Sequence, residues 1–210
     1  MSGFQTIFEI QQSMTVQNRR TVGQQVSRSG QMRVAQYLTS VPWVFVVTPH
    51  NFLYYPQVRD IIQSIDNLDR QLPQTISFSS ANLSWFTAYQ GDISSGTVTL
   101  ASTPAANTQV LSIAFTTGSG YAFKAGDFIM VEGYTYKVTA NVSRATSPAN
   151  VSIHRPLIGS PVSGATVAYG NACQFNMLAE KCPTYTLKPM TNGAFVEWDS
   201  PFVFREDITG

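Results

Sequence analysis

The second half of the chain contains a series of short apolar runs, whose length and spacing limit the folds available to it. After Ala81 the sequence is rich in Gly, Ser and Thr, and these runs read GTVTLAS, QVLSIAF, DFIMVEG, YTYKVTANV, NVSIHRPL and ATVAYG. Gly, Ser and Pro residues separate them. Short, closely spaced strands bounded by turn residues are typical of a small β-barrel or sandwich. The sequence therefore predicts a mainly β fold.

The first part of the chain predicts further strands. Residues 3–20 alternate weakly between apolar and polar and predict a strand followed by a loop. Two β-branched and aromatic runs, Met32–Gln36 and Trp43–Val47, predict two strands that a turn at Pro42 separates. The run QTISFSS after Pro73 predicts another.

One segment, about residues 56–72, has a different periodicity. Its apolar residues recur at the spacing of one helical face, with Pro56 suited to the first turn and Pro73 suited to ending the helix. These apolar residues are Val58, Ile61, Ile62, Ile65, Leu68 and Leu72. We predict a single helix here, which makes the fold a β-sandwich with one helix and an inserted small β-barrel.

The C-terminal part returns to aromatic-rich strands near Phe175. The Asn192-Gly193 pair predicts a hairpin turn between Tyr185–Met190 and Ala194–Trp198. Together with the change of composition near Ala81, this predicts two domains: a sandwich made of residues 1–82 and 171–210, and an inserted barrel made of residues 83–170.

The chain carries few charges for its length. Charged residues make up 12% of its 210 residues, against about 25% in typical soluble domains, and the net charge is +1. Interface cores are depleted in charge, so this composition favours burial against neighbouring subunits. The charge balance gives no reason to expect specific nucleic acid, a membrane or an acidic substrate as a partner.

The N-terminal sequence and the cysteines bear on location. The segment MSGFQTIFEIQQ has no basic region followed by an apolar core, so we expect no secretory signal. Cys173 and Cys182 are then expected to be reduced thiols of a protein made in a cytoplasm. They are too few for a zinc site, and we expect neither a metal nor a cofactor.

The stretch KAGDFIMVEGYTYKV, residues 124–138, is ordered like a site because it holds two acids, two lysines and two glycines. Asp127 and Glu132 could be a catalytic acid pair only if both faced one cavity. Both lie at predicted turns, where acids bind local backbone or solvent. We therefore predict a structural role, with Glu132-Gly133 as a tight hairpin turn.

The order of motifs along the chain resembles that of bacteriophage distal tail, or baseplate hub-ring, proteins. In the second half the resemblance rests on Gly126-Asp127, Tyr136-Lys-Val138, Arg155-Pro-Leu157, Gly164-Ala-Thr-Val167 and Phe175-Asn-Met-Leu178. In the first half it rests on Ser29-Gly30-Gln31, Trp43 and Phe78. The sequence departs from the family at Ile158, where the family often has Arg.

The resemblance implies a structural protein of the virion. Such proteins assemble as a ring, usually of six copies, at the distal end of the tail tube. They link the tube to baseplate or tail-hub proteins, and those proteins and copies of the chain are the expected partners. The expected location is the virion tail, after synthesis in the host cytoplasm.

Ten residues are candidates for contacts with neighbours. Aromatic side chains often dominate binding energy, and the N-terminal third has one basic cluster. The candidates are Phe4, Phe8, Trp85, Tyr89, Trp198 and Phe202, with Arg19, Arg20, Arg28 and Arg33. The aromatic residues could equally be core residues. The arginines could pair with acids of an adjacent ring, line a lumen, or form a solvated face.

Two other functions compete with this one. A glycan-binding module on the virion tail would present Tyr134, Tyr136 and Tyr169 of the inserted barrel in an exposed groove. A hydrolase would need a nucleophile elbow, a His-Glu-x-x-His metal motif or a phosphate-binding loop, and the sequence has none of these. We therefore predict that the protein is not an enzyme.

Overall fold

A computed structural model of the chain describes residues 3–18, 22–26, 32–36, 41–50, 53–67 and 72–208, with the backbone alone for 22–26 and 32–36. Strand makes up 41% and helix 12%, so the predicted mainly β class is confirmed, with curled sheets consistent with a sandwich or partial barrel.

The described residues contain two α-helices, one short 3-10 helix at Gly170–Ala172, and eighteen strands. The helices are α1 (Gly3–Glu9) and α2 (Tyr55–Asp66). The strands are β1 (Gln11–Gln17), β2 (Val22–Val26), β3 (Met32–Gln36), β4 (Val44–Pro49), β5 (Leu53–Tyr54), β6 (Gln74–Ser77), β7 (Thr99–Leu100), β8 (Val110–Ala114), β9 (Tyr121–Phe123), β10 (Phe128–Val131), β11 (Tyr134–Lys137), β12 (Val142–Ser143), β13 (Ala149–Ser152), β14 (Ala168–Tyr169), β15 (Gln174–Lys181), β16 (Tyr185–Met190), β17 (Gly193–Trp198) and β18 (Phe202–Glu206).

The largest sheet has five antiparallel strands in the order β1-β4-β18-β15-β6. The predicted alternation in β4 is confirmed, because Trp43, Phe45 and Val47 are buried while Val44 and Val46 are partly exposed. Successive side chains of a strand point to opposite faces, so one face of this sheet supplies aromatic side chains to the core.

The N-terminal prediction was wrong in one respect. Residues 3–9 form α1 rather than a strand, and the strand begins only at Gln11. Phe4, Ile7 and Phe8 have the i, i+3, i+4 spacing of one helical face, and all three are buried. The sequence held this signal, but a helix of seven residues shows it only once.

The predicted helix at residues 56–72 is confirmed as α2, but its predicted end was wrong. Val58, Ile62 and Ile65 are buried on one face, and the helix ends at Asp66 with Asn67 as its cap. Leu72 lies beyond the helix and is exposed, while Leu68 lies outside the described residues. This face of α2 packs against β5 and β17, where Val196 is buried.

Both predicted hairpins are present. Glu132 and Gly133 form a two-residue turn between β10 and β11, with φ of 48° and 82°. These positive values account for the glycine, which adopts them without steric cost. In the β16–β17 hairpin Gly193 pairs with Met190, so Thr191 and Asn192 form the turn, one residue earlier than predicted.

The buried apolar side chains form two main clusters. The first cluster is rich in aromatic side chains and includes Trp43, Phe45, Phe78 and Phe175. The buried residues of the second cluster all lie between residues 93 and 167. Strand β10 lies between them, because Phe128 belongs to the first cluster while Ile129 and Val131 belong to the second. The two-domain division at residues 82/83 and 170/171 stays a prediction.

Candidate functional site

Two charged side chains form an ion pair that is buried between the two clusters. Arg155 is 0% exposed and Glu206, the last residue of β18, is 3% exposed. Nη2 of Arg155 donates to Oε1 of Glu206 at 2.7 Å, and Nη1 donates to Oε2. In this bidentate geometry the planar guanidinium makes two parallel hydrogen bonds to the carboxylate, which gives a strong, directional contact.

Backbone groups supply further hydrogen bonds to this ion pair, although the buried Nε of Arg155 has no acceptor among the described residues. Nη1 of Arg155 donates to the Val41 carbonyl at 2.7 Å, and Nη2 donates to the Thr135 carbonyl at 3.0 Å. Oε2 of Glu206 accepts the Trp43 N–H at 3.0 Å. The Trp43 indole N–H donates to the Thr135 carbonyl at 2.8 Å. We call these five residues the junction, because they join the segment before β4 to β11 and β18.

Tyr136 closes one side of the junction. The Arg155 guanidinium carbon lies 5.1 Å from the centre of its ring, a cation–π contact. Its hydroxyl accepts the Ile158 N–H at 2.9 Å, and burial raises its pKa to about 12. The charges are therefore enclosed by aromatic and backbone groups, and the geometry serves to hold two parts of the chain together.

Sequence reasoning named Arg155 only within a family motif and did not single out Glu206. The two residues lie 51 positions apart. A signal was present: both are charged residues at the ends of apolar strand-like runs, and a charge there needs a buried partner.

The acids of the KAGDF stretch have structural positions. Asp127 is buried, and its carboxylate accepts the Lys124 N–H at 2.8 Å and the Gln90 N–H at 2.9 Å. Glu132 is exposed at the hairpin turn. The structure thus gives Asp127 the backbone-binding role that we predicted, although it is buried rather than solvated.

The six aromatic candidates differ in where they lie. Phe4, Phe8 and Phe202 are core residues of the first cluster, which is the alternative left open above and makes them unavailable as interface anchors. Trp198 is half-buried against Phe202, with ring centres 4.9 Å apart. Trp85 is the most exposed of the six, at 62%.

Tyr89 is partly buried and satisfied within the chain. Its hydroxyl donates to the Ala122 carbonyl and accepts the Ile93 N–H at 3.0 Å. Burial raises its pKa to about 12. These contacts give Tyr89 a structural role, and any contact with a neighbour stays a prediction.

The basic candidates are not placed by the structure. Arg19, Arg20 and Arg28 lie outside the described residues, and Arg33 lies in β3, where the backbone alone is described. Their role stays a prediction.

Cys173 is a free thiol. Cys173 is buried, and burial raises the pKa of its thiol, so it has the character of a core residue.

The tyrosines proposed for glycan binding do not form an exposed groove. Tyr136 is fully buried, while Tyr134 and Tyr169 are partly buried and pack against the second cluster. An exposed groove with an aromatic residue exists elsewhere, beside Trp85, and has a volume of about 580 Å³.

One hairpin is not joined to any sheet. Strands β2 and β3 pair with each other over five positions and with no other strand in the described part of the chain. They lie between β1 and β4, and Gln17 pairs with Val44 where the chain leaves and rejoins the five-stranded sheet. Within the described ranges, neither outer edge of this hairpin pairs with a strand.

Two comparisons with known proteins found no match. No protein-family model matches the chain, and no curated protein matches it. Within the ranges that the structure describes, no helix is long and apolar enough to cross a membrane. The same residues hold no group of three or more His, Cys, Asp or Glu side chains that could bind a metal ion.

Proposed function

We propose that the protein is a structural, non-enzymatic subunit of a bacteriophage tail. Copies of the chain form a ring at the distal end of the tail tube and link the tube to baseplate or tail-tip proteins. The order of motifs along the sequence supports this proposal, and so does the mainly β fold.

The unattached β2–β3 hairpin is the observation that carries the proposal. A two-stranded hairpin is marginally stable in water unless it packs against a further surface. Its strands, VGQQV and MRVAQ, contain a single charged residue, Arg33. Free strand edges without protective charges are sites where another chain can add.

The position of the hairpin suits a ring. It leaves the sheet at one end of β1, an edge strand, and we propose that it pairs with a different surface of a neighbouring copy, head to tail. Such a head-to-tail contact closes into a ring when the rotation between copies allows it. The low charge of the chain supports extensive contact between subunits.

Light scattering coupled to size exclusion tests the proposal on the purified full chain. The wild type should form a closed oligomer, with six copies as the expected number. Replacing residues 22–36 by a Gly-Ser linker of equal length should give a folded monomer, since the hairpin takes no part in the five-stranded sheet. Lengthening the β16–β17 turn at Thr191 and Asn192 is the matched control and should leave the oligomer intact.

Imaging of phage particles gives the second test. Electron microscopy of purified tails should show density that fits this chain at the distal end of the tube. A wild-type chain that stays monomeric at high concentration and is missing from tails would refute the proposal.

A further inference from the structure

Trp85 is an exposed indole that is held in one orientation. Its ring is 62% exposed, and its N–H donates to the Asn82 carbonyl at 2.9 Å. The turn that carries it is anchored by Leu83, which lies in the core, and by Phe86. The ring centres of Phe86 and Trp85 are 5.9 Å apart, with the rings nearly perpendicular. Because the N–H is already bonded, the ring offers its flat face to a ligand at little entropic cost.

Several uncharged hydrogen-bonding groups line the groove beside this ring. The side chains of Gln12, Ser13 and Asn82 line it and make no hydrogen bond with the described part of the chain. Oε1 of Gln11 is shielded from water and likewise has no donor among the described residues. A ligand rich in hydroxyl groups would supply both donors and acceptors to these amides.

The charges of the groove limit the ligand further. Among its described lining residues Glu9 is the one carboxylate, and none is Lys or Arg. The imidazole of His50 also lines the groove, so an anionic ligand would meet one imidazole, no Lys or Arg, and the Glu9 carboxylate, which repels anions and accepts hydroxyl donors well. The volume of about 580 Å³ lies within the range of about 300–1,000 Å³ that small-molecule sites occupy.

From this arrangement we infer that the Trp85 groove binds a neutral saccharide, with one sugar ring stacked on the indole and its hydroxyls bonded to Glu9 and the amides. An added β-strand fits this surface less well. The register of β1 shifts between Gln11 and Ser13, beside the groove, and such a bulge interrupts the regular ladder that strand addition needs.

The inferred site is independent of the ring contact that we propose. The groove lies at the end of β1 where Gln11 pairs with Pro49, whereas the β2–β3 hairpin leaves at the other end, where Gln17 pairs with Val44. Six residues of strand separate these ends, which is about 20 Å. Losing one function therefore need not disturb the other.

Tryptophan fluorescence of the full chain tests the inference. Cellotetraose, maltotetraose and chitotetraose are titrated separately, with sialyllactose as the anionic comparison. At least one neutral tetrasaccharide should shift the emission to shorter wavelength and protect it from acrylamide, since Trp43 is buried, Trp198 is half-buried and Trp85 is the exposed tryptophan of the three. Sialyllactose should bind at least about tenfold more weakly because Glu9 would repel its carboxylate and no Lys or Arg lines the groove to offset this.

Variants identify the site. Trp85→Ala should weaken binding by about tenfold or more, and Trp85→Phe, which keeps a stacking face, by less. Asn82→Ala, which leaves the backbone carbonyl in place, should weaken binding by a smaller factor. Tyr121→Ala is the control, because this tyrosine is 43% exposed on β9 and does not line the groove. It should leave affinity unchanged.

Three results would overturn the inference. One is that no neutral tetrasaccharide changes or protects the emission, and another is that affinity is the same in Trp85→Ala. The third is that light scattering on the same samples shows Trp85→Ala dissociating the oligomer, since the groove would then be covered by a second copy. A monomeric wild type that still binds saccharide would refute the ring alone.

Discussion

Replacing Glu206 by Gln removes the negative charge of the junction while almost preserving the size and shape of the side chain. Arg155 then remains as a fully buried cation beside Tyr136 and two backbone carbonyls, without a counter-charge. Removing one partner of a buried ion pair costs about 3–5 kcal/mol, because the remaining charge cannot regain its hydration. A folded domain is stable by about 5–15 kcal/mol in total, so this loss is large.

Urea denaturation followed by circular dichroism and by tryptophan fluorescence measures the effect. The free energy of unfolding should fall by about 3–5 kcal/mol, and the melting temperature by about 6–20 °C for a chain of this length. The matched control is Glu180→Gln. Glu180 accepts a hydrogen bond from Arg205 at 2.8 Å, but both side chains are about half exposed, so its loss should cost less than about 1 kcal/mol.

A double variant separates the charge from the packing. In Arg155→Met with Glu206→Gln no buried charge is left, so the double variant should be more stable than Glu206→Gln alone. Two results would refute the reasoning. One is a Glu206→Gln variant as stable as its Glu180→Gln control; the other is a double variant that loses the full sum of the two single effects.

Three further changes test other parts of the fold. Asp127→Ala leaves the partly buried N–H groups of Lys124 and Gln90 without their acceptor and should lower the free energy of unfolding in urea by about 1–3 kcal/mol. Asp60→Ala, at an exposed site on α2, should change it by less than about 0.5 kcal/mol, and equal effects would contradict this reasoning. Because burial raises the pKa of Tyr136 to about 12, the folded chain keeps a proton that the unfolded chain loses near pH 10. Stability should therefore fall between pH 10 and 12, by up to about 1.4 kcal/mol per pH unit, and less steeply in Tyr136→Phe. The hydrogen bond from Thr184 lowers the pKa of Asp199. This carboxylate therefore contributes stability above its ordinary pKa of 3.8, and the contribution is lost as the pH falls through the lowered pKa. Thr184→Ala should raise the pKa of Asp199 in an NMR titration, and an unchanged pKa would contradict the assignment.

The β class could be predicted because strand periodicity is visible within a few residues. In β4 the alternation of Trp43, Phe45 and Val47 was sufficient to predict which face is buried. The Glu132-Gly133 turn was predictable for a similar reason, since a glycine between two apolar runs indicates a backbone angle that other residues resist.

The remaining features depend on contacts that are distant along the chain. In β10 the alternation predicts that Phe128 and Ile129 face opposite ways, but not that each face belongs to a different core. The pairing of Arg155 with Glu206 requires several strands to be in place first. From the sequence Trp85 could be either an interface residue or a core residue, and the turn that carries it brings its side chain to the surface.

Strand β10 and the junction both connect the two apolar clusters. Apolar packing on both faces of β10 is non-directional and would tolerate small rotations between the clusters. The junction adds directional contacts from Arg155 to β18, β11 and the segment before β4, each of which requires one relative orientation. In the ring that we propose, every copy would then hold residues 83–170 at the same angle to its five-stranded sheet. A ring of identical contacts needs such uniformity, because a subunit with variable internal angles would not close reproducibly.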